Sequence, residues 1–157
     1  MKLHLVCVGR LSESYLRDAA EDFSRRVQRY LPLTVTELKE EKGGKKADPG
    51  FFREREGERL LARIADETFV IALDEKGKMR TSEELADFLG QHMVQGTGEL
   101  AFVIGGAYGL SDAVRQRANL VLSLSPLTFT HQMARVILFE QIYRGMTILR
   151  NEPYHNR

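Results

Sequence analysis

The chain has 157 residues, 43% hydrophobic and 29% charged, the size and composition of a single globular domain that can bury a real core. A formal charge of +1 excludes a protein that grips nucleic acid by bulk charge, so contact with RNA would fall to local patches. One cysteine, Cys7, excludes a disulfide framework, no stretch reaches the length of a membrane span, and the opening apolar run is too short for a signal peptide. The expected location is the cytoplasm.

Lys2 to Val8 reads as a first strand, ended by Gly9. From Ser14 to Tyr30, Leu16, Ala20, Phe23 and Val27 recur at helical spacing, with charged residues between them. Thr34 to Leu38 is a second strand. Lys39, Lys42, Lys45 and Lys46 around Gly43-Gly44 then form either an RNA-binding patch or a solvated loop. Asp48-Pro49 supplies an N-cap and a first-turn proline for a second helix, in which Gly57 costs about 1 kcal/mol against alanine.

Thr68 to Leu73 is a third strand, closed by Asp74-Glu-Lys-Gly-Lys78 as a turn. Thr81-Ser-Glu-Glu84 is a capping box opening a third helix. Glu99 to Ile104 is a fourth strand, Ser111 caps a short helix, and a fifth strand spans about Leu120 to Leu124. The last helix, Gln132 to Leu149, is apolar on more than one side, which predicts a homodimer seam. Five strands alternating with five helices predict one α/β domain, a mostly parallel sheet with helices on both faces.

Two strand ends stand out. The run Leu100 to Ile104 stops on Gly105-Gly106, where a side chain would block a close approach. The fifth strand breaks into Ser125-Pro-Leu-Thr-Phe129. Loops of this kind form a pocket at the carboxyl edge of a parallel sheet, where ligands bind. The glycines are not spaced as a dinucleotide fingerprint or a P-loop, and the histidines do not pair at metal-ligand spacing. A pocket of backbone groups and small polar side chains suits a nucleoside-containing ligand that carries its own reactivity.

Val103-Ile-Gly-Gly-Ala-Tyr-Gly-Leu-Ser111, Leu122-Ser-Leu-Ser-Pro-Leu-Thr-Phe-Thr-His-Gln-Met-Ala-Arg135, Glu140-Gln-Ile-Tyr-Arg144 and Asn151-Glu-Pro-Tyr-His155 closely resemble the ribosomal RNA large subunit methyltransferase H family, small enzymes of the SPOUT class. The resemblance covers the whole chain, and its C-terminal third is the most specific part. It implies a C-terminal trefoil knot, a homodimer, S-adenosylmethionine as cofactor, and methylation of N3 of a pseudouridine in helix 69 of 23S rRNA within assembled ribosomes. Carried onto this sequence, the cofactor site is Leu73, Gly105 and the loop Leu124, Ser125, Pro126, Leu127, Thr128 and Phe129.

Methyl transfer from a sulfonium needs no metal, but N3 of a uracil-type base must lose its proton, and a general base is worth about 10²- to 10⁴-fold. His131 and His155 are the candidates; His131 is alternatively a helix-start residue bonding nearby backbone. Arg135, one turn after His131, would meet a phosphate or developing charge, or else make a salt bridge at the dimer seam. Tyr154 would stack on an extruded base, or pack on a partner chain. A non-catalytic ribosome- or RNA-binding module and a protein for another nucleotide are the competing readings. S-adenosylmethionine binding separates them.

Overall fold

The strand β1 (Lys2–Val8) sets the plan of the molecule, a computed structural model that describes residues 1–43 and 48–156. Gly44, Lys45 and Lys46 of the lysine stretch lie outside the described residues. Side chains alternate across β1, so Leu3, Leu5 and Cys7 enter one apolar layer while Val6 and Val8 enter another. A strand apolar on both sides belongs inside a parallel sheet.

Around it the chain forms α1 (Ser14–Gln28), β2 (Leu33–Leu38), α2 (Pro49–Leu61), β3 (Phe69–Met79), α3 (Ser82–Val94), β4 (Glu99–Ile104), α4 (Asp112–Arg117), β5 (Leu120–Ser123) and α5 (His131–Leu149). The strand order is β2-β1-β4-β3-β5, and every neighbouring pair is parallel. Residues of α1, α3 and α5 fill the first layer, and those of α2 and α4 fill the second. The expected caps are present: Asp48 accepts from Phe51 N–H, the Thr81–Glu84 box closes in both directions, and Ser111 accepts from Val114 N–H.

The turn expected at Asp74–Lys78 is an excursion inside a longer strand. Leu73 and Lys78 both pair with Leu122, so the residues between them bulge out of the ladder. Lys76 N–H donates to Asp74 Oδ1 at 2.8 Å within that bulge. Gly77 presses against β5, where a Cβ would stand 2.7 Å from the Val121 carbonyl carbon.

A partner is not required to explain the apolar length of α5. Leu138, Phe139, Ile142 and Met146 are buried in this chain's own core, leaving Met133 exposed and Val136, Ile137 and Ile148 half-buried. Among the described residues, no helix is long and apolar enough to cross a membrane.

Candidate active site

The carboxyl ends of β3, β4 and β5 surround a cavity of about 350 Å³, lined in part by Leu73, Gly105, Leu124, Ser125, Leu127, Thr128, Phe129 and His131. Seven of the eight residues expected at the cofactor site are on its wall; Pro126 is not. Two strand-end loops meeting at the sheet edge is the arrangement read from the glycines and the Ser/Thr run.

Gly105 is explained by the chain itself. A Cβ there would lie 2.6 Å from Gly109 O, because the loop folds back through a Gly106–Gly109 bridge. The close approach expected at Gly105 is made, among the described residues, by this chain's own loop, which a side chain there would strike. Of the loop glycines, Gly109 alone takes a positive φ, 85°. Gly106 lies over the buried Glu56, whose carboxylate oxygen would be 2.9 Å from a Cβ. Burial pushes the Glu56 carboxyl above its usual range.

The β3 bulge supplies a wall that sequence reading assigned only to a turn. Asp74, Glu75 and Lys76 all line the cavity. Burial by itself would raise the Asp74 carboxyl, but the Lys76 N–H and the Arg115 guanidinium hold it below its ordinary value. Arg115 Nε donates to Asp74 Oδ2 at 2.8 Å. The bulge is also tied to the next loop, since Thr128 Oγ1 donates to Glu75 Oε2 at 2.6 Å and Ser123 Oγ donates to the Glu75 carbonyl.

His131 starts α5 on the cavity wall, behind the Thr130 N-cap. Its ring packs over Gly9, where a Cβ would be 2.7 Å from Cε1, so the positive-φ glycine ending β1 makes room for the imidazole. Nε2 stands 3.6 Å from Glu40 Oε1, beyond hydrogen-bond length, and Nδ1 is buried without a partner. Burial lowers the pKa of this histidine; Glu40 pulls it up, Arg135 pushes it down, and the result lies below the usual value. The neutral ring is thus favoured.

Arg135 points away from the cavity, into the ends of β1 and β2. It is buried, donating through Nη2 to Gly9 O at 2.7 Å and through Nη1 to the Glu37 carboxylate. The salt bridge expected at a dimer seam is an internal one.

Tyr154 and His155 do not line the cavity. The Tyr154 hydroxyl donates to Glu140 Oε1 at 3.0 Å, and its ring meets Tyr143 edge-on at 4.6 Å. His155 bridges helices, with Nδ1 3.2 Å from Arg144 Nη1 and Nε2 3.2 Å from Glu83 Oε1. Arginine can only donate, so this contact puts the proton of a neutral ring on Nε2, facing the carboxylate.

A family model described as a predicted SPOUT methyltransferase matches residues 1–155. The ribosomal RNA large subunit methyltransferase H of Syntrophotalea carbinolica is 59% identical over 157 residues, covering 100% of both chains. That of Trichlorobacter lovleyi is 48% identical, over 99% of this chain and 100% of its own. That of Clostridium acetobutylicum is 46% identical, over 99% of each. Among solved structures, a probable methylase family protein from Haemophilus influenzae Rd KW20 matches with a TM-score of 0.55 at 15% identity, over 99% of this chain and 70% of that one, a likeness of fold. The chain belongs to the ribosomal RNA large subunit methyltransferase H family of SPOUT methyltransferases.

Proposed function

We propose that this chain methylates N3 of a pseudouridine in helix 69 of 23S rRNA, acting on the assembled ribosome in the cytoplasm, with S-adenosylmethionine as donor. The carrying observation is the placement of a histidine biased towards its neutral form on the wall of a cavity built from the Gly105 and Leu124–Phe129 loops. The cavity falls within the size range of small-molecule sites. Backbone groups of Gly105–Gly109, the apolar Leu73, Leu124 and Phe129, and the Asp74 carboxylate suit a ligand with an apolar nucleoside face and a cationic end.

Bound there, S-adenosylmethionine supplies an electrophilic methyl group on sulfur. The chain's part is to hold the base in line and free its N3. His131 takes the N3 proton on its imidazole, neither nitrogen of which makes a hydrogen bond among the described residues. Arg135 acts indirectly by tying α5 to Gly9 and thereby fixing the His131 ring.

The tail serves the RNA. Tyr154 and His155 lie against α5 outside this chain's cavity, and a homodimer covering the outer side of α5 is the arrangement in which they meet substrate. The C-terminal knot is part of the same reading. Support comes from α5, which leaves β5 at one sheet edge and reaches Glu37 on β2 at the other.

Ribosomes lacking the modification, incubated with the chain and labelled S-adenosylmethionine, should gain one methyl group per large subunit, mapped by mass spectrometry to a helix 69 pseudouridine. Methyl incorporation at another nucleotide, or into free RNA as readily as ribosomes, would overturn the assignment.

A further inference from the structure

Tyr154, the aromatic expected to stack on RNA, is engaged inside its own chain, while three other rings form an exposed surface at the cavity mouth. Phe52 and Tyr108 stack at 5.3 Å between centroids with planes 14° apart, and Phe51 meets Phe52 edge-on at 5.9 Å. Phe51 is 44% exposed and Tyr108 is 49% exposed. A Tyr on a glycine loop and two phenylalanines in the first turn of α2 have no part in either core layer. The sequence brings them together only because α2 packs beside the loop after β4, with Glu56 of α2 beneath Gly106.

We infer that Phe51, Phe52 and Tyr108 form a stacking platform for an unpaired RNA base next to the methylated nucleotide, an inference that rests on the proposed RNA substrate. Three observations select RNA as the occupant. Tyr108 itself lines the cavity, so the platform is continuous with the site where the reacting base would sit. Arg55 lies over Phe51, 5.8 Å from the ring centroid, and neither Arg53 nor Arg55 forms an ion pair among the described residues, which leaves two cations for phosphates on either side of a stacked base. The platform is also a set of ring faces with few hydrogen-bonding groups, which suits bases stacked irrespective of identity. Glu54 and Asp48 stand on the same stretch of chain; Asp48 is committed to the Phe51 N–H as the cap.

The chain contains no tryptophan, so Phe51→Trp introduces a single tryptophan into the platform, which can be excited selectively over the tyrosines. Titration with a single-stranded RNA spanning the helix 69 loop should quench its emission through base stacking, and Arg55→Ala in that background should weaken the titration several-fold. In methylation of ribosomes, Phe51→Ala should raise KM about tenfold with little change in kcat, and Phe51→Trp should restore it. Both variants should keep the wild-type S-adenosylmethionine affinity and sedimentation coefficient. Unchanged emission with RNA, together with an unchanged KM, would overturn the platform. A loss of cofactor affinity would make it a cofactor lid, and a change in mass would make it a contact between copies of this chain; either result also overturns it. The fluorescence arm reads RNA contact without turnover. Wild-type protein that binds this RNA but transfers no methyl to ribosomes lacking the modification would therefore count against the proposed activity and not against the platform.

Discussion

Arg135 and Glu37 form an ion pair whose two ends differ sharply in environment, the guanidinium side chain being 2% exposed and the carboxylate side chain 43% exposed. Removing the acid strands a buried cation, whereas removing the base leaves an acid that can turn to water. Glu37→Ala should therefore cost about 3 kcal/mol and Arg135→Met only about 1–2 kcal/mol, read from urea denaturation. The opposite order would mean that the bond to Gly9 O carries the link between α5 and the sheet.

For His131, the pKa shift fixes the direction of a pH profile. Its pKa is lowered in the folded chain, so the base form predominates at neutral pH. Activity should be flat near pH 7 and fall as pH drops through a value below the ordinary imidazole pKa of about 6.5. Protonation also opposes the buried site, so folding stability should decline as pH falls below the unfolded value. His131→Gln should lower kcat by about 10²-fold or more and abolish the acid limb, with S-adenosylmethionine affinity retained. An acid limb that persists in this variant would assign the proton transfer to another group.

Gly105→Ala is expected to deform the loop before it obstructs any ligand, because the new methyl meets Gly109 O at 2.6 Å. Stability should fall by about 1–3 kcal/mol, and cofactor affinity should fall with it. Calorimetry beside thermal denaturation checks both. Lost affinity at full stability would put the ligand, not Gly109, against position 105.

The outer side of α5 can be tested without touching the core. Met133→Glu changes an exposed residue and should shift a dimer towards monomer in sedimentation while the chain stays folded. Ile142→Glu is a poor probe of the same question: Ile142 is 1% exposed within its own chain, so a charge there should unfold the protein. A Met133→Glu variant with unchanged mass would place any seam elsewhere.

The layers of the fold were readable because they rest on local pattern. Alternation in Lys2–Val8, the Thr81–Glu84 box and the glycine stop after Ile104 each specify an element from a few neighbouring residues. The two loops that line the cavity were readable for the same reason, as the ends of apolar strands. What escaped reading depends on distant chain. Gly57 looked like a weak point in a helix, yet a Cβ there would stand 2.3 Å from Ser111 Oγ, so the glycine lets α2 pack against the cap of α4. Arg135 looked like a site residue from its spacing to His131, and only the position of Glu37, 98 residues earlier, shows where it points. The turn at Asp74–Lys78 was seen, but not the strand that continues beyond it, since that continuation depends on Leu122 pairing twice.

Cys7 sits near the end of β1, between β2 and β4, with its side chain fully enclosed, and burial pushes its thiol up to about 11. The chain thus carries a built-in clock. A thiol reagent can modify it only after β1 has parted from its neighbours, because the reactive thiolate is both shielded and scarce while the sheet is intact. Labelling followed over time should report how often β1 is released from β2 and β4. If the tail does pass through a knot, that release should be slower than a threading-free sheet of this size allows, and a label taken up in seconds at neutral pH would show that the strand opens without undoing the rest.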